Sequence, residues 1–441
     1  MITDSIAHFI CDTSYENLPK NVVEKAKLCF LDFLGVSLGG SRTLSGQIIR
    51  NISGLNGHST IIGGSKASAL EASLINGVLA HSMDLDDGHR QAQLHPGACV
   101  IPAALSLSES QEVLESQEAS GKDLIESIVV GYQIAVMMGI IANPEHRRRG
   151  FHSTGTCGTF GAAAAASKIL KLDKKFVINT IGLAGTQAAG LLESDHVGTM
   201  GKHLHVGRAA QSGVLSALIA QKGFTGAKSI IDGKEGFLRA TSQIDEDKIA
   251  SEEQNLAELY HILGVYFKNY PVCRHLHSSI DAALSLMQKY NIDLDEIVDV
   301  KVNTYEIAAE HDDYHPQGPE AIRQSLPVSL AIAISKGQID PDFNISKKEL
   351  DLASKVSISC DSGLESLYPE QRPSHITIST KKGQFEEIIY LPQGEPEKAF
   401  GWDHILEKFQ ILNPEVDLEP FHILKKMESY DVTELMSILN L

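Results

Sequence analysis

Apolar residues recur at helical spacing through the first 260 residues of the chain. Ile6, Phe9 and Ile10 mark one short amphipathic helix. Val22, Ala26, Cys29, Phe30, Phe33 and Leu34 mark a second, entered through Pro19 and ended by Gly39-Gly40. Ser68 and Glu71 have the spacing of a capping box and predict a helix start. Leu70, Leu74, Ile75, Val78 and Leu79 then share one face of it. Helices are predicted again over Ile101–Ser108 and Lys122–Ile141. Further on, Gly155, Gly158 and Gly161 lead into the alanines 162–166, and Gly182, Gly185 and Gly190 repeat the small-residue pattern. Such residues permit close helix contact. Apart from a short extended piece at 59–66, no strand is predicted before about residue 260.

The pattern then changes. Val298, Val300 and Val302 alternate with polar residues, as do Val356, Ile358 and Cys360. Ile376 and Ile378 precede a Lys382-Gly383 turn, and Phe385–Leu391 returns, which predicts a hairpin. Helices near Ser278–Lys289 and Ala321–Ser335 would cover the sheet. Helical spacing resumes over Trp402–Leu412 and Pro420–Leu439. The predicted fold is mostly α with an α+β insertion. Residues 1–262 form a large helical domain, 263–394 a smaller α+β lid domain, and 395–441 C-terminal helices that return to the first.

Composition narrows the partners. The 441 residues carry a formal net charge of −18, which argues against nucleic acid and against an anionic membrane surface. An acidic chain that binds an anion must gather its cations in one pocket. The six cysteines are scattered with no CxxC pair, and the N-terminus has no signal-peptide pattern. Reduced thiols in a cytoplasmic protein are expected. No apolar run is expected to span a membrane.

The chemistry is concentrated in a few segments. Directly behind the capped helix come His81, Asp84, Asp86, Asp87, His89 and His95, six titratable groups within fifteen residues. Burying such groups is costly unless they pair, and pairing shifts their pKa values. Asp86 and Asp87 are expected to cap backbone N–H groups. The three arginines of Asn143–Gly150 are assigned to a solvated surface. Lys202, His203, His205 and Arg208 place four basic groups in seven residues, and the interleaved Leu204, Val206 and Gly207 argue for partial burial. Lys268, Cys273, His275 and His277 lie where one domain meets the other, a favoured place for a ligand cleft. Cys273 and His277 are four residues apart, but without a second metal-binding pair no metal is assigned.

Several of these segments resemble one family. NGVLAHSMDLDDGH followed by HPG, HSTGTCG from His152, K-x-x-H-x-G-x-A-A from Lys202 and K-x-x-P-x-C from Lys268 resemble the MmgE/PrpD family, as does GEPEKAF near the C-terminus. That family includes 2-methylcitrate dehydratases, cis-aconitate decarboxylases and iminodisuccinate epimerases. The resemblance implies a smaller domain closing over a helical one, a homodimer paired through the helical domains, a small carboxylate substrate and no cofactor. It assembles Asp84, His95, His152, Lys202, Lys268, Cys273 and His277 as the candidate catalytic set. Proton abstraction beside a carboxylate suits them. Lys202 and Lys268 would stabilise the carboxylate oxygens, His95 and His152 would exchange protons, and Asp84 would orient or charge one of them.

The expected function is a cofactor-independent, dehydratase-type lyase of a small di- or tricarboxylic acid, with an epimerase or isomerase of a dicarboxylate as the alternative. The decarboxylases have histidine where this chain has Cys273 and an S-x-x-Y tyrosine where it has Val328, so decarboxylation is the less expected outcome. Cys273 has two readings: a one-proton partner facing His152 or Lys202, or a small buried apolar residue. Two other classes stand beside these. One is a metal-dependent hydrolase using Asp84, Asp86, Asp87 and His89 with His311-Asp312-Asp313. The other is a metabolite binder without turnover, encouraged only by Val328.

Overall fold

The computed structural model describes all residues from 1 to 441 except 53, 55 and 115–117. Its larger core is helical. In chain order it contains α1 (Lys20–Gly40), α2 (Ala69–His81), α3 (Gly97–Ser108), α4 (Gly121–Ala142), α5 (Ser153–Ile169), α6 (Lys174–Gly185) and α7 (Gly201–Gln221). Ser68 caps α2 through the full reciprocal box with Glu71. The helix that follows is not an apolar stripe against a polar back. Leu70 and Leu74 are half-buried, whereas Ala72, Asn76, Gly77 and Ala80 are buried as fully as Ile75 and Leu79. α2 is wrapped by α1, α3 and α7.

Small residues make that wrapping possible. A Cβ on Gly207 of α7 would lie 2.3 Å from the Leu74 carbonyl oxygen, and one on Gly77 would lie 2.8 Å from the Gly207 Cα. The α2–α7 crossing therefore brings backbone against backbone, and it fixes the first turn of α7 beside the end of α2. α4 is long and apolar enough to cross a membrane by composition, contrary to the sequence expectation, but it is enclosed within this core.

The smaller core holds four strands, β1 (Ile297–Thr304), β2 (Val356–Cys360), β3 (Ser374–Thr380) and β4 (Gly383–Ile389), in the order β2-β1-β3-β4. β1 pairs parallel with β2, with Val300 opposite Val356. It pairs antiparallel with β3, with Val302 opposite Ile376. The buried Val300, Val302, Ile376 and Ile378 pack with α8 (His277–Tyr290) and α9 (Leu326–Lys336). The helix expected over Ala321–Ser335 is in fact two, because Ser325 caps a new start at Leu326 with Pro327 in its first turn. After this domain, α10 (Trp402–Leu412) packs back on α1, so the molecule is mostly helical with a smaller α+β domain. The final helix predicted from Pro420 is a 3₁₀ segment, Glu419–Ser429, kinked at Lys426, followed by Val432–Leu439.

The extended piece expected at 59–66 pairs Ser59–Thr60 with Lys66–Ala67, and an unexpected second pairing joins Gly88–His89 to Val265–Tyr266. The second has functional weight. It fastens the loop behind α2 to the segment that leads into the smaller domain, which lays Asp84 beside Lys268.

The helix crossing can be tested directly. Gly207→Ala would gain about 0.5–1 kcal/mol of helix propensity but overpack a backbone carbonyl, which costs about 1–3 kcal/mol or more where the obstacle cannot yield. We expect a net loss of about 2 kcal/mol in denaturant unfolding. Gly401→Ala, whose Cβ would meet nothing within 4 Å, should stay within about 0.5 kcal/mol of the parent.

Candidate active site

A cavity of about 70 Å³ lies at the junction of the two cores, and its wall includes Asp84, His95, His152, Lys202, Lys268 and Cys273. Asp84 is the centre of its charge. The residue adopts φ +50°, in the left-handed region that aspartate tolerates better than most side chains. Its Oδ1 accepts from Lys268 Nζ at 2.8 Å and from Lys202 Nζ at 3.2 Å, and its carbonyl oxygen accepts a second bond from Lys268 at 2.8 Å. Burial opposes its charge, but the two ammonium groups outweigh it and hold the carboxyl well below the usual range. Burial also pulls Lys268 down, helped by the neighbouring Lys202. Against its own burial, Lys202 is held up by Asp195 and Asp84.

His95 is oriented from behind. Its Nδ1 lies 2.6 Å from the Asp87 carbonyl, which can only accept, so Nδ1 carries the proton and Nε2 keeps the lone pair. Burial, with Lys268 and His81 adding to it, lowers this imidazole to about 3. It is therefore neutral at physiological pH, with the Nε2 lone pair unprotonated. His152 is likewise held well below its ordinary value by burial and by His81 and Lys202, and its Nδ1 lies 3.3 Å from Nδ1 of His205.

The two aspartates expected to cap backbone groups divide. Asp87 does so, accepting from Gly97 N–H at 3.0 Å and from the Tyr132 hydroxyl at 2.6 Å. Asp86 instead accepts from His81 Nδ1 at 2.8 Å.

Cys273 is a half-buried member of the cavity wall. Neither His152 nor Lys202 is its hydrogen-bonding partner. Its Sγ lies 3.6 Å from Nε2 of His311, whose Nδ1–H is directed at the Gln324 carbonyl at 2.9 Å. Burial would raise the thiol, but the His311 charge and hydrogen bond bring it down to about 7. His311 is raised in turn, with Cys273 as the cause that overcomes its burial. Thiol and imidazole thus each favour the other's charged form across one hydrogen bond.

His277 is placed elsewhere. It is fully buried, accepts from Arg274 Nη1 at 2.9 Å and has Nε2 3.3 Å from the Val272 carbonyl, outside the cavity wall. The four-residue spacing to Cys273 does not lie on one helix, because a 3₁₀ turn at Arg274–Leu276 separates them. The set proposed for a metal-dependent hydrolase is also not assembled. Asp84 is taken by lysines, His311 by Cys273, and Asp312 and Asp313 are exposed. His81, Asp86 and His95 do lie within 4.8 Å of one another, a cation-compatible spacing. Their Nδ1 atoms are already spent on Asp86 and on the Asp87 carbonyl, the geometry of a hydrogen-bond chain.

Several wall residues escaped the sequence reading. Arg147 belongs to the arginine run assigned to solvent, yet it is half-buried and lines the cavity with Tyr266, Arg274 and Arg372. Arg274 pairs with Glu395, which is fully buried and also pairs with Arg90. Val328 lies in the apolar core of the smaller domain, and Gln324 is the nearby residue that faces the cavity.

A helical domain and a smaller α+β domain hold carboxylate, lysine and histidine groups between them at one cavity. The MmgE/PrpD N-terminal domain model matches residues 4–250 and the MmgE/PrpD C-terminal domain model matches residues 270–418, so the chain belongs to the MmgE/PrpD family. It is similar to a cis-aconitate decarboxylase of Aspergillus terreus, 27% identical over 81% of this chain and 78% of the relative. The cis-aconitate decarboxylase of Homo sapiens is 30% identical over 65% of this chain and 59% of that protein. These relatives support a lyase-type enzyme.

The Cys273–His311 pair predicts a reactivity. A depressed pKa leaves thiolate present above about pH 7 and lost below it. Alkylation of Cys273 by iodoacetamide, followed peptide by peptide in a mass spectrometer, should therefore rise through a midpoint near 7. In His311→Gln the midpoint should move up toward the ordinary thiol range of about 8.5, with at least a several-fold slower rate at pH 7.

Proposed function

We propose that this chain is a cofactor-independent lyase of dehydratase type, acting on a small di- or tricarboxylic acid by removing a proton next to a carboxylate. The observation that carries the reading is the neutral His95, its proton fixed on Nδ1, beside the Asp84–Lys202–Lys268 cluster. An α-proton is weakly acidic because its removal adds a second charge to the carboxylate. Ammonium groups held in a buried site lower the cost of that charge without having to reorganise. His95 or His152 takes the proton, and the lysines steady the enediolate. Loss of a β-hydroxyl then gives the olefin, with a protonated group supplying the hydrogen that turns hydroxide into water.

A second reading has its own support. Cys273 and His311 belong to the smaller domain, whereas His95 and His152 belong to the helical one. Proton-handling groups on two walls suit an isomerase, in which one group removes the α-proton and another returns it to the opposite face. The relatives' names favour a lyase, and Cys273, standing where the family resemblance implies a histidine in decarboxylases, favours chemistry other than decarboxylation.

Proton NMR in D2O with 2-methylcitrate, citrate, cis-aconitate and iminodisuccinate tests both readings. New olefinic signals from a hydroxy acid are expected. Deuterium at an α-position without net loss of water or CO2 would favour the isomerase. His95→Gln and Lys202→Ala should slow either reaction by about 10²–10⁴-fold. EDTA should leave it unchanged; loss on chelation would sink the cofactor-independent reading. Exchange that survives in both variants would remove them from the mechanism.

We also propose that the enzyme works in the cytoplasm as a homodimer. The exposed Leu44, Ile48 and Ile52, spaced along one side of the segment after α1, offer the helical domain an apolar face. Light scattering at twice the chain mass is expected, and a monomer at micromolar concentration would remove the dimer.

A further inference from the structure

The cavity's cations are not equal. Lys202 and Lys268 share the Asp84 carboxylate, and Lys202 also reaches Asp195 at 3.5 Å. Arg274 is matched by Glu395 at 3.0 Å and by the Gln393 carbonyl at 3.0 Å. Arg372 has no such match. Its residue is 3% exposed, its Nε and Nη1 have no hydrogen-bond partner, and no carboxylate among the described residues lies within ion-pair distance of it. The buried Glu395 already serves Arg90 and Arg274. The guanidinium is held over the ring of Tyr266 at 5.3 Å, and Glu395, beyond ion-pair distance, favours its charge without forming an ion pair. Arg147, also without an ion pair among the described residues, shares the same cavity wall.

An unmatched guanidinium in a water-poor site is costly, since burying a charge without a partner opposes folding by several kcal/mol in general. Such a group is a ready receptor for an anion that completes it. Arginine, moreover, presents a fork that fits a carboxylate. We infer that Arg372, with Arg147 beside it, forms a second carboxylate subsite that selects di- and tricarboxylates over monocarboxylates. This rests on the carboxylate reading proposed above and deepens it. The acid group next to the reacting carbon meets the lysine cluster, and the distal acid group meets the arginines. The inference also explains why an acidic protein keeps these two cations at one place without an ion pair among the described residues.

Calorimetry and thermal melting of the full-length protein test the subsite with tricarballylate and succinate as diacid or triacid probes and butyrate as the monoacid. The parent should bind the polyacids at least ~100-fold more tightly than butyrate, the scale of a lost charge-assisted pair. Arg372→Gln should abolish most of that preference and leave butyrate affinity unchanged. Arg147→Gln, at the half-exposed rim where refolding is not at stake, should reduce the preference about ten-fold. Melting adds a readout that a structural arginine would not give. The unliganded Arg372→Met protein should melt at or above the parent's temperature, because an unmatched buried charge is gone, and should lose the upward shift that tricarballylate gives the parent. If Arg372→Met instead melts well below the parent, or if both arginine variants keep the parent's polyacid preference, the subsite is overturned. Binding of neither polyacid nor monoacid by the parent would overturn the carboxylate reading itself and the subsite with it.

Discussion

Asp84 and its two lysines hold the molecule's chemistry together. Lys202 comes from the first turn of α7, Lys268 from the segment just after the Val265–Tyr266 strand, and Asp84 from the loop behind α2. Three stretches of chain separated by more than a hundred residues from one another or by a domain crossing converge on one carboxylate oxygen. The convergence has structural preconditions. α7 must approach α2 at backbone distance, which Gly77 and Gly207 allow, and the loop must pair with Val265–Tyr266. The carboxylate and the lysines then offset each other's charge in a place where none could be buried alone, with Asp84 Oδ2 left without a hydrogen-bond partner.

Around this cluster the proton-handling groups differ in state. Buried imidazoles on the helical side are kept neutral by desolvation and by neighbouring cations. On the other side a thiol is kept partly ionised by an imidazole that gains charge as the thiol loses its proton. One wall thus offers acceptors and the other a shared proton. That asymmetry comes from burial reinforced by neighbouring positive charge on the one side and burial outweighed by a partner on the other. It gives the site groups for both halves of an elimination or an isomerisation.

Much of this architecture was legible in the sequence, because helical spacing, the Ser68–Glu71 box and the alternation of Val300 and Val302 are local signals. The convergence of Asp84, His95, His152, Lys202 and Lys268 was legible only through resemblance, since nothing in their spacing makes them meet. What escaped was whatever depends on tertiary context. A two-residue strand such as Gly88–His89 has no period to detect. Arg147 sits in a run that looks like any solvated run, and Arg372 stands alone before a strand with no pattern around it. His277 shared a motif with Cys273, but the 3₁₀ turn between them sends one side chain to the cavity and the other to Arg274. α4 has apolar length that would suit a bilayer, and it serves the centre of the core.

Glu395 has a consequence for how such proteins can be recombined. It lies on the return segment, fully buried, and pairs with Arg90 of the helical domain and Arg274 at the head of the smaller one. Lys268 and Asp84 straddle the same junction. Either domain made alone would expose or strand half of each pair. A chimera that joins the helical domain of one relative to the smaller domain of another must carry both sets of partners across the seam. The domains are separate as cores and inseparable as modules.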